Sequence, residues 1–219
     1  KIYAGMYLVS ILAWWTFEFI NWRLANWVYL GEEHVGPYGF FLLSSLSFST
    51  VIPAVFGTAE LVATFSPLCN LKHGCRFLPT QRFLKWMFIC GWLMLLLLLV
   101  WPRYFFPFTW LALFFILEPV NTSQGYRTLL DFLKTGDWRP LLALAVGCLI
   151  CGFFWEMWNY FSYPKWIYEI PFVGFLKIFE MPLLGYGGYI PFSWELFALY
   201  HLVLGLWGGH SIIDFTDKR

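Results

Sequence analysis

The chain has 219 residues, 60% hydrophobic and only 12% charged, with a net charge of +1. Soluble domains carry about 25% charged residues, so the composition excludes an ordinary water-soluble domain, and the near-neutral balance gives no reason to expect a nucleic-acid partner. The aromatic share of 23% is more than interfacial belts of Trp and Tyr consume, so some of these rings must line the interior.

Apolar runs near bilayer length predict an all-α polytopic membrane bundle that forms one transmembrane domain over 1–219. Six transmembrane helices are expected, over residues 2–22, 38–65, 84–101, 104–118, 140–161 and 189–209. The first apolar run contains Glu18 and Asn21 and is followed by Asn26-Trp27-Val28-Tyr29. The loop 66–83 holds Lys72, Arg76 and Arg82 and no acid. By the positive-inside rule it is cytoplasmic. Both termini and the loop 118–139 then share its side, and residues 23–37 and 162–170 lie opposite. Within 118–139, the stretch 128–134, TLLDFLK, predicts one or two interfacial helical turns.

The fifth run ends on Glu156-x-x-Asn159 and is followed by Lys165-Trp166-Ile167-Tyr168. This echoes the first run, with a Glu-x-x-Asn near the end of a helix and then a W-x-Y. The spacing predicts a partial parallel internal repeat with halves of about 1–65 and 140–209. The segment 170–188 is apolar but broken by Pro171, Pro182 and several glycines. It reads as a re-entrant piece or as the unwound start of the last span. Irregular backbone at membrane depth needs cover from protein or a water-filled cavity, and such breaks often mark binding sites.

Five acids fall in or beside the apolar segments: Glu18, Glu60, Glu156, Glu180 and Glu195. An acid at mid-bilayer costs roughly 2.5–3.5 kcal/mol on insertion scales, so each needs a reason to be there. Glu156, Glu180 and Glu18 are the candidate catalytic acids. Asn159 and Asn21 share a helix face with their glutamates and are expected to hold them. Burial favours the neutral acid, which suits a proton donor. The alternative is that Glu–Asn pairs knit helices together, as polar residues do in bundles. Lys177, three residues before Glu180, pairs with it if that piece is helical. Trp155, Trp158, Trp166 and Tyr168 supply ring faces around Glu156, and ring faces stabilise cations. His201 is either the ligand of one chlorophyll-type magnesium or a hydrogen-bonded core residue. His210 is out of helical phase with it for a bis-histidine haem. No metal site is expected.

The second half reads W-E-x-W-N, then K-W-x-Y-x-x-P, then F-E-M-P-L-L-G-Y-x-G-Y-x-P-F. Over about residues 118–210 this resembles a group of uncharacterised bacterial integral membrane proteins, which implies a multi-pass protein of the bacterial inner membrane and no particular activity. More distantly, Trp155-Glu156, Trp166-x-Tyr168 and Glu180-Met181-Pro182 resemble the aromatic–acid, W-x-[FY] and acid–Pro elements of the small integral lycopene cyclases. In that family twin acids follow the Pro, whereas here the single Glu180 precedes Pro182. The resemblance implies protonation of a polyene end, ring closure of the carbocation and loss of a proton, with Glu156 or Glu180 as the acid.

Two functions follow as expectations. One is a membrane protein that binds, and by lycopene-cyclase-like chemistry transforms, an isoprenoid-type lipid such as a carotenoid or quinone. The other is a non-catalytic accessory or scaffold subunit of a larger membrane complex, whose rings pack on pigments, membrane lipids or partner subunits. An enzyme needs Glu18, Glu156 and Glu180 to converge on a cavity, whereas a scaffold needs each satisfied separately.

Overall fold

A computed structural model describes residues 2–209 together with 211, 213 and 215; His210 lies outside the described residues. In chain order the elements are α1 (Ile2–Leu24), β1 (Trp27–Leu30), α2 (Gly36–Phe48), α3 (Val51–Ala63), α4 (Ser66–Cys69), α5 (Gln81–Val100), α6 (Pro102–Phe105), α7 (Ala112–Gln124), α8 (Leu129–Thr135), α9 (Arg139–Tyr160), β2 (Lys165–Tyr168), β3 (Lys177–Ile178), β4 (Met181–Pro182) and α10 (Tyr189–Leu206). Helices dominate, as the apolar runs predict.

Among the described residues, four helical stretches are long and apolar enough to cross a bilayer: Gly36–Ala63, Gln81–Val100, Arg139–Tyr160 and Leu183–Leu206. A fifth arises if Pro102–Trp110 and Ala112–Gln124, bent by 42° between them, count as one span. This falls short of the six expected. α1 is not among these stretches, although at 23 residues it is long enough; it carries Glu18, Asn21 and Arg23 in its last turns. In the span Gly36–Ala63, α2 and α3 meet at a break where the ladder is interrupted. Ser10 of α1 covers it. Its hydroxyl donates to the Phe48 carbonyl at 2.5 Å and accepts from the Ile52 amide at 3.0 Å, which satisfies backbone that water cannot reach.

Small residues let the helices approach closely. A Cβ on Gly147 of α9 would stand 2.8 Å from the Ala59 amide of α3, and one on Gly91 of α5 would stand 2.9 Å from the Ile116 amide of α7. In a bilayer, where burial against lipid drives little, such contact packing holds helices together. The core runs through α1, α3, α9 and α10, with Phe17, Ile52, Leu144, Phe192, Phe197 and Tyr200 fully enclosed. Phe192 is met edge-on by Trp14 at 5.7 Å, Phe17 at 5.3 Å and Trp110 at 5.4 Å. These are the interior rings that the composition demands.

The two ends of the bundle differ. At one end the two predicted cytoplasmic loops bond to each other. Gly74 donates to the Gly136 carbonyl at 2.9 Å, Phe77 to Leu133 at 3.0 Å and Trp138 to Leu71 at 3.0 Å. The helical turns expected in TLLDFLK are present as α8, started by a capping box between Thr128 and Asp131. At the other end β1 and β2 pair antiparallel, with Trp27 opposite Tyr168, Val28 opposite Ile167 and Tyr29 opposite Trp166. The broken segment is irregular, as expected. β3 and β4 form a hairpin turned by Phe179 and Glu180, and a 3-10 stretch at Leu183–Gly188 then leads into α10.

Candidate functional site

The candidate site is built around the two-stranded ribbon and the helix ends that carry it. On α1, the Oε1 atom of Glu18 accepts three hydrogen bonds: from Trp14 Nε1 at 2.9 Å, Trp27 Nε1 at 3.1 Å and Tyr29 Oη at 2.5 Å. Trp14 reaches it because residues four apart share a helix face; Trp27 and Tyr29 reach it from β1. On α9, the Oε1 atom of Glu156 accepts from Tyr168 Oη of β2 at 2.6 Å and Tyr189 Oη of α10 at 2.8 Å. Its Oε2 is buried and has no hydrogen-bond partner. Trp166 Nε1 donates to the Tyr168 hydroxyl at 2.9 Å, so indole, phenol and carboxyl form one chain. Burial, then the neighbouring carboxylate, pushes the phenols of Tyr29 and Tyr168 well above the ordinary tyrosine range.

The asparagines do different work from that expected of them. Asn21 does not hold Glu18. It donates to the Trp27 carbonyl at 2.8 Å and accepts from the Asn26 amide at 2.9 Å and the Trp27 amide at 3.3 Å. Asn159 likewise donates to the Trp166 carbonyl and accepts from the Trp166 amide, both at 2.8 Å. Each carboxamide carries an NH2 donor and a carbonyl acceptor side by side on a short arm, so it can close both hydrogen bonds of an extended residue at once. Each therefore clamps its helix end to the strand that follows.

Glu180 also departs from expectation. The segment is a hairpin rather than a helix, so Lys177 does not pair with it. Lys165 does, at 2.5 Å, while its ammonium also lies 5.3 Å from the centre of the Tyr160 ring. Glu195 and Glu118, both fully buried, cap helices from a distance. Glu195 Oε1 accepts from the Leu113 amide at 3.0 Å at the start of α7, and Glu118 Oε1 accepts from the Leu130 amide at 2.9 Å at the start of α8. A carboxylate at a helix N-terminus meets unpaired amides and a favourable dipole.

Trp155 packs on Tyr189 at 6.2 Å between ring centres and stays at the site. Trp158 does not: it is 60% exposed on the outer face of α9. His201 has both ring nitrogens engaged. Nδ1 lies 2.8 Å from the Phe197 carbonyl, which can only accept, so Nδ1 carries the proton; Nε2 then accepts from the Ser211 hydroxyl at 2.9 Å. That is the core-residue reading, and it leaves no lone pair for a magnesium. Among the described residues no cluster of His, Cys, Asp or Glu could hold a metal.

Of the three acids, Glu18 lines a hollow whose lining includes neither Glu156 nor Glu180. The hollow, of about 490 Å³, is lined by Trp15, Glu18, Phe19, Asn21 and Trp22. Glu156 is enclosed, and Glu180 is held by Lys165. Tyr29, Trp27, Trp14 and Tyr189 are site residues that the sequence reading missed. The sequence carried a signal for the first two, since Trp27-x-Tyr29 follows Glu18-x-x-Asn21 much as Trp166-x-Tyr168 follows Glu156-x-x-Asn159. Comparison with protein-family models, curated proteins and solved structures returns no match.

Proposed function

We propose that this is a multi-pass protein of the bacterial inner membrane that binds an isoprenoid-type lipid, and that Glu156 is its acid. The observation that carries this reading is the divided state of the Glu156 carboxyl. Two phenols hold Oε1, while Oε2 is buried without a partner. A buried acceptor left unpaired costs about 1–3 kcal/mol, a cost that a bound group or a held proton removes. With Trp155, Trp166 and Tyr168 around it, such an acid suits proton delivery to a polyene end and stabilisation of the resulting cation. The same proton count is restored when the ring-closed cation loses a proton. The similarity to the lycopene cyclases in this half supports the assignment.

We also read α1 as a sixth pass, kept among the spans by its hydrogen-bonded Glu18 and Asn21. Glu18-x-x-Asn21 with β1 and Glu156-x-x-Asn159 with β2 are read as two copies of one duplicated unit, supported by the matched asparagine clamps. The termini and the loops 66–83 and 118–139 are assigned to the cytoplasm.

Co-expression in lycopene-accumulating cells tests the reading. Cyclised carotenoid is expected with the wild-type chain and is expected to fall at least tenfold with Glu156→Gln; unchanged lycopene in both removes this substrate. The second reading, a non-catalytic subunit, is favoured by one observation: Glu18, Glu156 and Glu180 are each met by a separate set of partners. Stoichiometric co-purification of fixed partner subunits, indifferent to Glu156→Gln, would establish it instead.

A further inference from the structure

The start of α5 gathers positive charge. No acid occurs between Glu60 and Glu118, a stretch that holds Lys72, Arg76, Arg82, Lys85 and Arg103. Arg76, Arg82 and Lys85 are exposed and make no ion pair among the described residues. The aspartates of the adjoining loop are already taken, Asp131 by Lys134 and Asp137 by Arg139, both at 2.8 Å. The Phe77 ring lies 5.1 Å from the Phe83 ring, which holds the stretch after Arg76 on the first turn of α5. Cations are favoured at the C-terminal end of a helix, where the dipole is negative. Arg82 and Lys85 stand at the opposite end, in the first two turns of α5. An anion from outside the chain relieves that placement.

What lies below the cations indicates which anion. α5 turns Leu84, Met87, Gly91 and Leu98 into the protein. Its opposite flank is one outward stripe at intervals of three and four residues: Arg82, Lys85, Trp86, Ile89, Leu93 and Leu96, all exposed. The cations come first, at the helix end. Trp86 follows, and below it the stripe is aliphatic. The rise from Arg82 to Trp86 is about 6 Å, and from Trp86 to Leu96 about 15 Å more. That is the order in which a phospholipid meets a spanning helix: phosphate at the head-group level, ring at the interface, acyl chains beneath. The whole order lies on one face of one helix.

We infer that the outward face at the start of α5 binds an anionic phospholipid, with its phosphate on Arg82 and Lys85, Arg76 adding to the attraction, and an acyl chain along Ile89, Leu93 and Leu96. The excess of charge decides the class. A zwitterionic lipid brings its own ammonium and leaves the cations uncompensated. A soluble anion would use the cations and leave the aliphatic stripe idle. The site lies on a different helix from Glu156 and stands or falls separately from its chemistry.

Native mass spectrometry of the detergent-purified chain, titrated with dioleoyl phosphatidylglycerol or dioleoyl phosphatidylethanolamine, tests this. The first phosphatidylglycerol is expected to bind roughly tenfold more tightly than phosphatidylethanolamine. Arg82→Gln and Lys85→Gln, changes at exposed side chains that do not threaten folding, are each expected to weaken it about fivefold, the equivalent of about 1 kcal/mol per cation at a lipid surface. Arg103→Gln removes the same charge beyond the other end of α5 and is expected to leave that first lipid in place. Equal affinity for the two lipids overturns the inference. So does a loss on Arg103→Gln as large as that on Arg82→Gln, because the preference would then follow net charge and not this face. Displacement of the lipid by chainless glycerophosphoglycerol at equal concentration overturns it too, because the aliphatic stripe would then contribute nothing.

Discussion

Tyr29 and Tyr168 hold the two carboxyls, and both phenols are held in the protonated form by burial and by the acids they serve. The consequence for stability has a definite sign. In the unfolded chain tyrosine ionises near pH 10, while in the folded chain these two retain their protons to higher pH. Above pH 10 the unfolded state therefore binds fewer protons than the folded one, and stability falls as pH rises. The contribution is complete below pH 10. Thermal unfolding in detergent from pH 8 to 11 should show this decline, and the double variant Tyr29→Phe, Tyr168→Phe should show a shallower one. Equal slopes would mean that the two phenols are not the groups responsible. At this scale the sequence was legible in part. The two Glu-x-x-Asn pairs stand out because polar residues are rare in apolar helices. Their partners did not, because Glu156 meets Tyr189 across 33 positions and Lys165 meets Glu180 across 15. Local spacing rules see only three or four.

At the level of elements, the ribbon depends on its asparagine clamps. Each of Asn21 and Asn159 satisfies backbone groups of a strand too short to hold itself, since an isolated two-stranded ribbon is marginal at best. Asn159→Ala and Asn21→Ala are each expected to cost about 1–3 kcal/mol. Trp158→Ala, on the exposed face of the same helix, should stay within about 0.5 kcal/mol. Unfolding midpoints in detergent check both; a loss for Trp158→Ala equal to that for Asn159→Ala would contradict the placement of these side chains. The helices were readable as apolar runs, and the irregularity of 170–188 was readable from its prolines and glycines. The ribbon was not. Four-residue strands carry too little alternation to register, and a pairing between residues 27–30 and 165–168 is a tertiary fact with no local signature.

For the whole molecule, the loop-to-loop bonds at one end and the ribbon at the other give the bundle two distinct faces. The cytoplasmic assignment of 66–83 then predicts which reagents reach it. Cys75 is exposed and lies in that loop. In intact cells a membrane-impermeant maleimide should leave it unlabelled and should label it after permeabilisation, whereas a cysteine placed at Glu33, beside the ribbon, should label without permeabilisation. The reverse pattern would invert the topology. Sidedness is read from the placement of a few Lys and Arg, and this labelling is its test. Of the expected passes, four were legible as apolar runs, and a fifth if the bent pair Pro102–Trp110 and Ala112–Gln124 is one span.

The register of the ribbon crosses the halves over. Val28 faces Ile167, so each tryptophan sits opposite the other half's tyrosine: Trp27 against Tyr168, and Trp166 against Tyr29. Three of the four, Trp27, Tyr29 and Tyr168, also hold a glutamate carboxyl directly, and Trp166 reaches Glu156 through the Tyr168 hydroxyl. A substitution in one half is a disturbance in both, and only a matched change across the ribbon restores the fit. The two strands are therefore coupled at these four positions, so that a double change across the ribbon is not the sum of its two single changes.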